Sequence, residues 1–531
     1  MNTEMKTDIL VALLDACRAN ADSPAVSQGK RTLSYGELEA RMASVASTLK
    51  RMGFLPGDRV LFSVRPNLDG LSLALGIIAA GGTVVFADPG AGESMFRARA
   101  ALAAPRWVAA EAMLYAASSK ALRGLARRRG VELPPYRVVV PDARHLYAGR
   151  WLPGVPRTAT SVASLLDDAF RRSSPSRPAV EPTVKADHEA LIIFTSGTTD
   201  APKAVVHSRA SLGTGLAGFA AHARLLPGDR LLTDQLMIGI PALIGGAHWR
   251  LPLPGADPGA KPEKYLESLP ETDALFMVPA ALDALLRLLD TTPSKTPQLA
   301  TLLIGGAPVL RPLLERARAR WPAARILAIY GMTEILPVAI VDGDEKLAFA
   351  APGDFVGELL PGVAARVVDG ELLLGGPGLA IGYLADLPEN PLTELRTGDL
   401  AAIDENRIVL LGRSKDMFIR GSTNVYPGLY EPVIAGIPGV AEVAMVGVPT
   451  DGVGDERVIL VVVPAKDAPP TLTARHPLIA AVAAALPGLI DAAVLPDMIL
   501  AARALPRSGR SGKLDRAALS ATAASFETTD R

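Results

Sequence analysis

From Leu33 to about residue 360, short aliphatic or β-branched runs alternate with Ala/Leu/Arg stretches of helical period. In Thr32-Leu33-Ser34-Tyr35-Gly36-Glu37-Leu38, Ser34 stands three residues ahead of Glu37. That capping-box spacing predicts a helix over 38–52. Pro56-Gly57-Asp58-Arg59 predicts a turn into a buried strand at 60–64, followed by a helix at 71–80 and a strand at 83–86. Strand, helix and strand at this spacing predict parallel βαβ units in a large α/β domain. Residues 144–188 are rich in Pro, Ser and Arg and read as a surface excursion between two halves of that domain. After residue 360, short runs at 365–368, 371–374 and 408–411, punctuated by Gly, Pro and Asp, predict a small, partly antiparallel sheet. A third unit begins near Arg413, with strands at 440–448 and 457–463 and a helix at 477–485. Residues 527–531 read as a frayed tail.

Length and charge narrow the classes. A chain of 531 residues exceeds one ordinary core, and roughly two to four domains are expected. Lys+Arg and Asp+Glu are both 55, so the formal net charge is zero. That balance argues against nucleic acid or an anionic membrane as the main partner. The single cysteine, Cys17, lies in an apolar helical pattern and reads as packing. Met1 to Lys6 carry no basic region followed by an apolar one, so no secretory signal is expected. The longest uncharged run, Leu71 to Ala87, falls short of the about 20 residues of a membrane span. A cytoplasmic enzyme is the expectation.

The most informative stretch begins as the buried-strand pattern Ala190-Leu191-Ile192-Ile193-Phe194. It runs into Thr195-Ser196-Gly197-Thr198-Thr199-Asp200-Ala201-Pro202-Lys203. Such a loop can turn backbone N–H groups and hydroxyls toward a polyphosphate, while the lysine supplies a fixed positive charge. Four or five of these residues alone would be a surface turn, but the whole string is much rarer by chance. It is not a P-loop: Gly197 has no lysine at the required distance, and Lys513 precedes Leu514, which has no hydroxyl for a metal.

Four further segments follow in order. Leu302-Leu303-Ile304-Gly305-Gly306-Ala307-Pro308 reads as a strand entering a tight turn, either beside a flat ligand or as a simple strand-to-helix turn. Tyr330-Gly331-Met332-Thr333-Glu334 places an aromatic, a glycine, a hydroxyl and a carboxylate within five positions. These can stack a base, admit backbone, contact phosphate and hold a hard cation; alone, such a Glu is usually a solvated loop acid. Arg396-Thr397-Gly398-Asp399 precedes a small strand at 400–403, and its carboxylate at a tight turn can accept two hydrogen bonds from a diol. Leu505 to Arg516 gathers several cations around Lys513, which without a ligand would be a plain surface loop.

In this order the motifs resemble those of the adenylate-forming superfamily, which includes acyl-CoA synthetases, peptide-synthetase adenylation domains and firefly luciferase. The resemblance spans more than half the chain. It implies a large multi-subdomain N-terminal α/β domain, residues 1–412, and a small mobile α+β C-terminal domain, residues 413–531. It implies ATP held by Thr195, Ser196, Gly197, Thr198, Thr199 and Lys203 at the phosphates. Gly305, Gly306, Ala307, Pro308, Tyr330 and Gly331 would border the adenine and acyl groups, and Asp399 and Arg413 the ribose. Thr333 would contact the α-phosphate, Thr195 and Glu334 would take part in Mg2+ binding, and Lys513 would bridge the substrate carboxylate and the α-phosphate. Lys415 falls at the family's hinge, and Pro427 and Glu431 match its Pro-x-Glu-Ile-Glu segment, unlike Leu429 and Tyr430. This chain also departs from the family at Asp200 and Ala204, where glycine is usual, and in a lysine loop one residue longer.

The implied activity is conversion of a small-molecule carboxylic acid to its acyl-adenylate with release of pyrophosphate. Transfer to coenzyme A or another thiol would follow, as in the acyl-CoA synthetases of fatty acid metabolism, and a separate acyl-carrier protein is a further possible partner. Carboxylate attack on an α-phosphate needs charge neutralisation and alignment more than a general base. Asp234 to Gly246 aligns with the family's acyl-pocket helix and, being apolar and glycine-rich, predicts an uncharged acyl group. Asp234 offers the alternative of pairing with an amino group. Glu334-Ile335-Leu336-Pro337-Val338 is similar to β-lactone synthetases, which adenylate a 3-hydroxy acid and let its own hydroxyl displace AMP; that is the second reading. A non-catalytic nucleotide binder is the third, and retention of Lys513, Glu334 and Asp399 argues against it. The six histidines show no metal-ligand spacing, and His207, four residues after Lys203, is expected to be structural. Only 18 residues follow Lys513, so a fused carrier domain of about 80 residues is not expected.

Overall fold

The computed structural model describes residues 7–119, 122–124, 133–171, 185–195, 203–293, 296–420, 423–450, 456–491, 494–508 and 512–529. Two compact units emerge. The first is Met1–Gly255 with Met332–Pro337 and Gly375–Leu395; the second is Ala256–Gly331, Val338–Leu374 and Arg396–Arg531.

An eight-stranded sheet organises the first unit. Strands Arg59–Ser63, Thr83–Phe86, Trp107–Glu111, Arg144–Ala148 and Glu189–Thr195 pair in parallel, which is the βαβ arrangement that the alternating pattern predicts. Their apolar runs are buried on both faces, as covered parallel sheets require. Val60, Phe62 and Val84 enter one core with Leu38, Val45 and Leu73. Leu61, Val85, Val108 and Ile192 enter the other with Phe96, Tyr115 and Tyr136. The helix Tyr35–Arg51 begins at the capping box, with both reciprocal Ser34–Glu37 bonds formed. Cys17 is 1% exposed, and burial followed by the nearby Glu39 carboxylate pushes its thiol up to about 12, in line with a packing role.

The region 144–188 differs from the expected surface excursion. Arg144–Ala148 is an inner strand beside Trp107–Glu111, and the helix Val162–Arg171 follows it. Leu146 and Ala148 alternate inward over only five residues, too short a run to stand out among the flanking prolines. Residues 172–184 lie outside the described set.

In the second unit, Ala274–Met277, Thr301–Gly305 and Arg325–Met332 are parallel. Antiparallel pairings follow from Ile335–Asp342 with Asp354–Leu359 onward, earlier than the change expected after residue 360, and include Asp354–Leu359 and Leu395–Asp404 with Arg407–Arg413. The runs at 365–368, 371–374 and 408–411 do not form the small separate sheet expected of them but extend the sheet of Thr301–Gly305 and Arg325–Met332, because Asp354–Leu359 and Ile335–Asp342 bridge the two by backbone hydrogen bonds. Farther along, Val440–Pro449, Glu456–Pro464 and Met498–Ala501 form a three-stranded sheet. The helix Pro477–Ala485 has the expected bounds. Residues 527–529 belong to the helix Arg516–Thr529 instead of a frayed tail, and the final two residues lie outside the described set.

One ion cluster ties the start of that last helix to the segment that follows Arg413. The Arg516 guanidinium donates to both Glu431 carboxylate oxygens at 2.7 and 2.6 Å and to Asp416 at 3.2 Å. Glu431 also accepts the Met445 N–H at 2.7 Å. Burial opposes the guanidinium charge, but Glu431 and then Asp416 more than offset it, so Arg516 holds its proton more firmly than usual. Arg516→Ala leaves Glu431, only 8% exposed, without its main cation. The expected loss is about 3 kcal/mol of stability, measured as a lower urea midpoint.

Candidate active site

Strands Glu189–Thr195 and Lys203–Ser208 form an antiparallel hairpin in which Thr195 pairs with Lys203. The two ends of the hydroxyl-rich loop are therefore held in one register. Ser196, Gly197, Thr198, Thr199 and Asp200 lie outside the described residues. Ala204 is 1% exposed and sits opposite Phe194 within the hairpin.

Three residues beyond Lys203's immediate neighbour, the same strand reaches the two-residue turn Thr333-Glu334. His207 Nε2 lies 2.7 Å from the Thr333 carbonyl oxygen, which can only accept. Nε2 therefore carries the proton, and Nδ1 accepts from the Ser211 hydroxyl at 3.2 Å. Burial holds this ring below the usual histidine range, with the Thr333 carbonyl acting in the opposite direction. Next to Thr333, the Glu334 carboxylate accepts a 2.9 Å bond from the Tyr383 hydroxyl. The Lys203 ammonium lies 5.6 Å from the centroid of that same ring. The first unit thus brings together Thr195, Lys203, Thr333 and Glu334.

The motif reading missed Tyr383. Its strand, Gly382–Tyr383, has two residues and follows a glycine-rich run, so no periodicity marks it. An aromatic directly after such a run was the one available signal.

The second unit gathers the residues implied for the nucleoside. Gly305 pairs with Ile329 in the parallel sheet, so the segment Gly306-Ala307-Pro308 leaves the sheet beside Tyr330. The Tyr330 hydroxyl donates to Asp399 Oδ2 at 2.7 Å. Asp399 and Arg413 are direct cross-strand partners, with Arg413 Nε 2.6 Å from Oδ1. Asp399 is 2% exposed. Burial, then the Asp399 charge, raises the Tyr330 phenol above its ordinary range, so it remains a donor. Asp399 lies within the strand Leu395–Asp404, not at a turn before it. Gly398, at a φ of 70°, supplies the irregularity the sequence suggested.

Lys513 opens the second strand of a small hairpin and pairs with Ser508. The hairpin is braced by Arg507, which donates to the Gly512 carbonyl at 2.8 Å and to Glu442 at 2.6 Å. The expected acyl-pocket segment is the helix Leu236–Ile244, whose Gly239 lies flat against the buried Trp249 indole. A Cβ there would fall 2.0 Å from the ring, so residues 239–243 are core. The half-buried Leu236, Met237 and Ile238 are the apolar surface left over, and Asp234 is exposed.

The donor set suits a magnesium ion. Glu334 Oε1 is engaged by Tyr383, while Oε2 has no hydrogen-bond partner among the described residues. No group of three or more His, Cys, Asp or Glu side chains is gathered among the described residues. Magnesium keeps several waters and takes one or two carboxylates together with substrate phosphates, so a single open carboxylate fits it.

The neutral His207 has a pH consequence. Its folded pKa lies below the unfolded value near about 6.5. The associated stability is complete above that pH and falls on acidification, because the unfolded chain takes up a proton that the buried ring refuses. Between pH 7.5 and 5.5 the wild type should lose up to about 1 kcal/mol that His207→Gln does not lose. Urea midpoints at the two pH values measure it, and equal acid slopes in both proteins would refute the neutral-ring assignment.

Residues 13–384 match the AMP-binding enzyme family, and residues 430–513 match the AMP-binding enzyme C-terminal domain. The chain is 30% identical to an isonitrile lipopeptide synthase of Streptomyces coeruleorubidus over 98% of its length, while spanning about a third (34%) of that relative. It is 28% identical to a feruloyl-CoA synthase of an Amycolatopsis species, covering 81% of this chain and 84% of the relative. ATP-bound MatB from Rhodopseudomonas palustris superposes with a TM-score of 0.75 at 26% identity, covering 98% of this chain and 100% of that one. No described helix is long and apolar enough to cross a membrane. The chain belongs to the AMP-binding enzyme family and is an AMP-forming acid ligase of the adenylate-forming superfamily.

Proposed function

We propose that the protein converts a carboxylic acid with an uncharged acyl group to its acyl-adenylate and then transfers the acyl group to coenzyme A. The observation that best supports the nucleotide half of this reading is the buried Asp399 carboxylate, held by Tyr330 and Arg413. A carboxylate in that setting can accept hydrogen bonds from a ribose diol.

In this mechanism an oxygen of the substrate carboxylate attacks the α-phosphorus of ATP. The bond to the bridging oxygen of the β-phosphate breaks, and pyrophosphate leaves with that electron pair. The nucleophile is already ionised, so the protein's task is alignment and charge stabilisation. Thr195 and Lys203 hold the phosphate chain at the ends of the loop, and Thr333 contacts the α-phosphate. Glu334, with Thr195, would hold magnesium, which would supply neutralisation of phosphate charge. Lys513 bridges the substrate carboxylate and the α-phosphate and stabilises the pentacovalent transition state. Residues 413–531 act as the mobile catalytic-lysine domain, with Lys415 at the hinge. The apolar first turn of the helix Leu236–Ile244 supports an uncharged acyl group.

The test is pyrophosphate release across a broad panel of acids, with and without coenzyme A, followed by product mass. Acid-dependent release and an acyl-CoA product are expected; no release with any acid sinks the adenylation reading. Turnover indifferent to coenzyme A, with loss of water from a 3-hydroxy acid, points instead to the β-lactone reaction. Lys513→Ala should slow pyrophosphate release by about 100- to 1,000-fold while leaving ATP binding intact, as checked by stopped-flow assay and calorimetry.

A further inference from the structure

We propose that Tyr383 is a positioning residue that keeps the phosphate-loop lysine and the metal-binding carboxylate apart, each aimed at its own ligand. The inference rests on the adenylation reading above for the roles of Lys203 and Glu334.

The backbone around Tyr383 is pinned to both groups. Gly382–Tyr383 pairs antiparallel with the lysine strand, Tyr383 opposite Val205. The Leu384 N–H donates to the Ala204 carbonyl at 2.8 Å, and the Ile381 N–H to Val206 at 2.9 Å. On the other side, the Ala380 N–H donates to the Glu334 carbonyl at 2.8 Å. A segment of five residues therefore spans from the strand that begins at Lys203 to the turn that carries Glu334.

The side chain completes the arrangement. Its hydroxyl donates to Glu334 Oε1 at 2.9 Å, and its ring lies 5.6 Å from the Lys203 ammonium. A phenol carries its proton at neutral pH and can donate to a carboxylate. An ammonium and a carboxylate in direct contact would neutralise each other, and neither charge would be fully available to a polyphosphate or a cation. The interposed phenol gives each a weaker partner: a ring face for the cation and one hydrogen bond for the anion. By engaging Oε1 alone, it leaves Oε2 open to the metal.

The two halves of the side chain can be separated experimentally. Tyr383→Phe keeps the ring and removes the hydroxyl, whereas Tyr383→Leu removes both. ATP binding is followed by calorimetry, first in EDTA and then across a Mg2+ titration, without acid substrate. Tyr383→Phe should bind metal-free ATP as the wild type does, with half-saturating Mg2+ raised about 10-fold. Tyr383→Leu should in addition weaken metal-free ATP binding about 3-fold. Thermal midpoints confirm that each variant is folded; if Tyr383→Leu is not, the Tyr383→Phe arm decides alone. Unchanged Mg2+ dependence in Tyr383→Phe, or equal loss of metal-free binding in both variants, overturns the proposal. So does wild-type ATP binding that ignores Mg2+. Because no acid is present, failure of acid-dependent pyrophosphate release in the wild type would count against the adenylation reading alone.

Discussion

A carboxylate with 2% exposure keeps its charge only where partners are built around it, and Asp399 has them on two sides. Arg413 comes from the neighbouring antiparallel strand, directly across the ladder, and Tyr330 from another strand of the second unit. The backbone serves the same end: Thr397 accepts the Asp399 N–H at 3.0 Å and donates to the Leu372 carbonyl at 2.7 Å. The register of these strands is thus tied to one buried charge. Slipping a strand by one residue would turn Asp399 or Arg413 to the opposite face and leave a charge unpaired.

The first unit meets a similar constraint with weaker forces. Lys203 and Glu334 are widely separated in sequence, and in the proposed mechanism each must remain available to a ligand. The hairpin fixes where Lys203 begins, His207 holds the Thr333 carbonyl, and Tyr383 holds the Glu334 carboxylate. None of these contacts is a direct ion pair between the two functional charges. The geometry is set by backbone ladders and neutral donors, which leaves the charges less compensated than a salt bridge would.

Where a local rule is complete within a few residues, the chain could be read directly. The Ser34–Glu37 capping box closes within one helical turn, and the 83–86 strand and 477–485 helix have the expected bounds. The switch to antiparallel strands was legible from the Gly, Pro and Asp that punctuate each short run, but it begins earlier, at Ile335–Asp342, and continues the large sheet, because pairing partners lie outside each run. The strand 144–148 was not, since its inward alternation is brief and its burial comes from a neighbour, Trp107–Glu111, far away in sequence. Asp399 was expected at a turn but lies within a strand, because the strand continues through Gly398 by virtue of its partner Arg413.

The sequence by itself determined the family and the alternation that builds the parallel sheet. Both are carried by short strings whose chemistry is local. Tertiary structure alone decided that Tyr383 contacts both Lys203 and Glu334, and that His207 is neutral with its proton on Nε2. It also decided that most of the helix 236–244 is core beneath Trp249. The physical reason is the same in each case: a side chain's role is set by what packs against it, and those neighbours come from strands and turns distant in the chain.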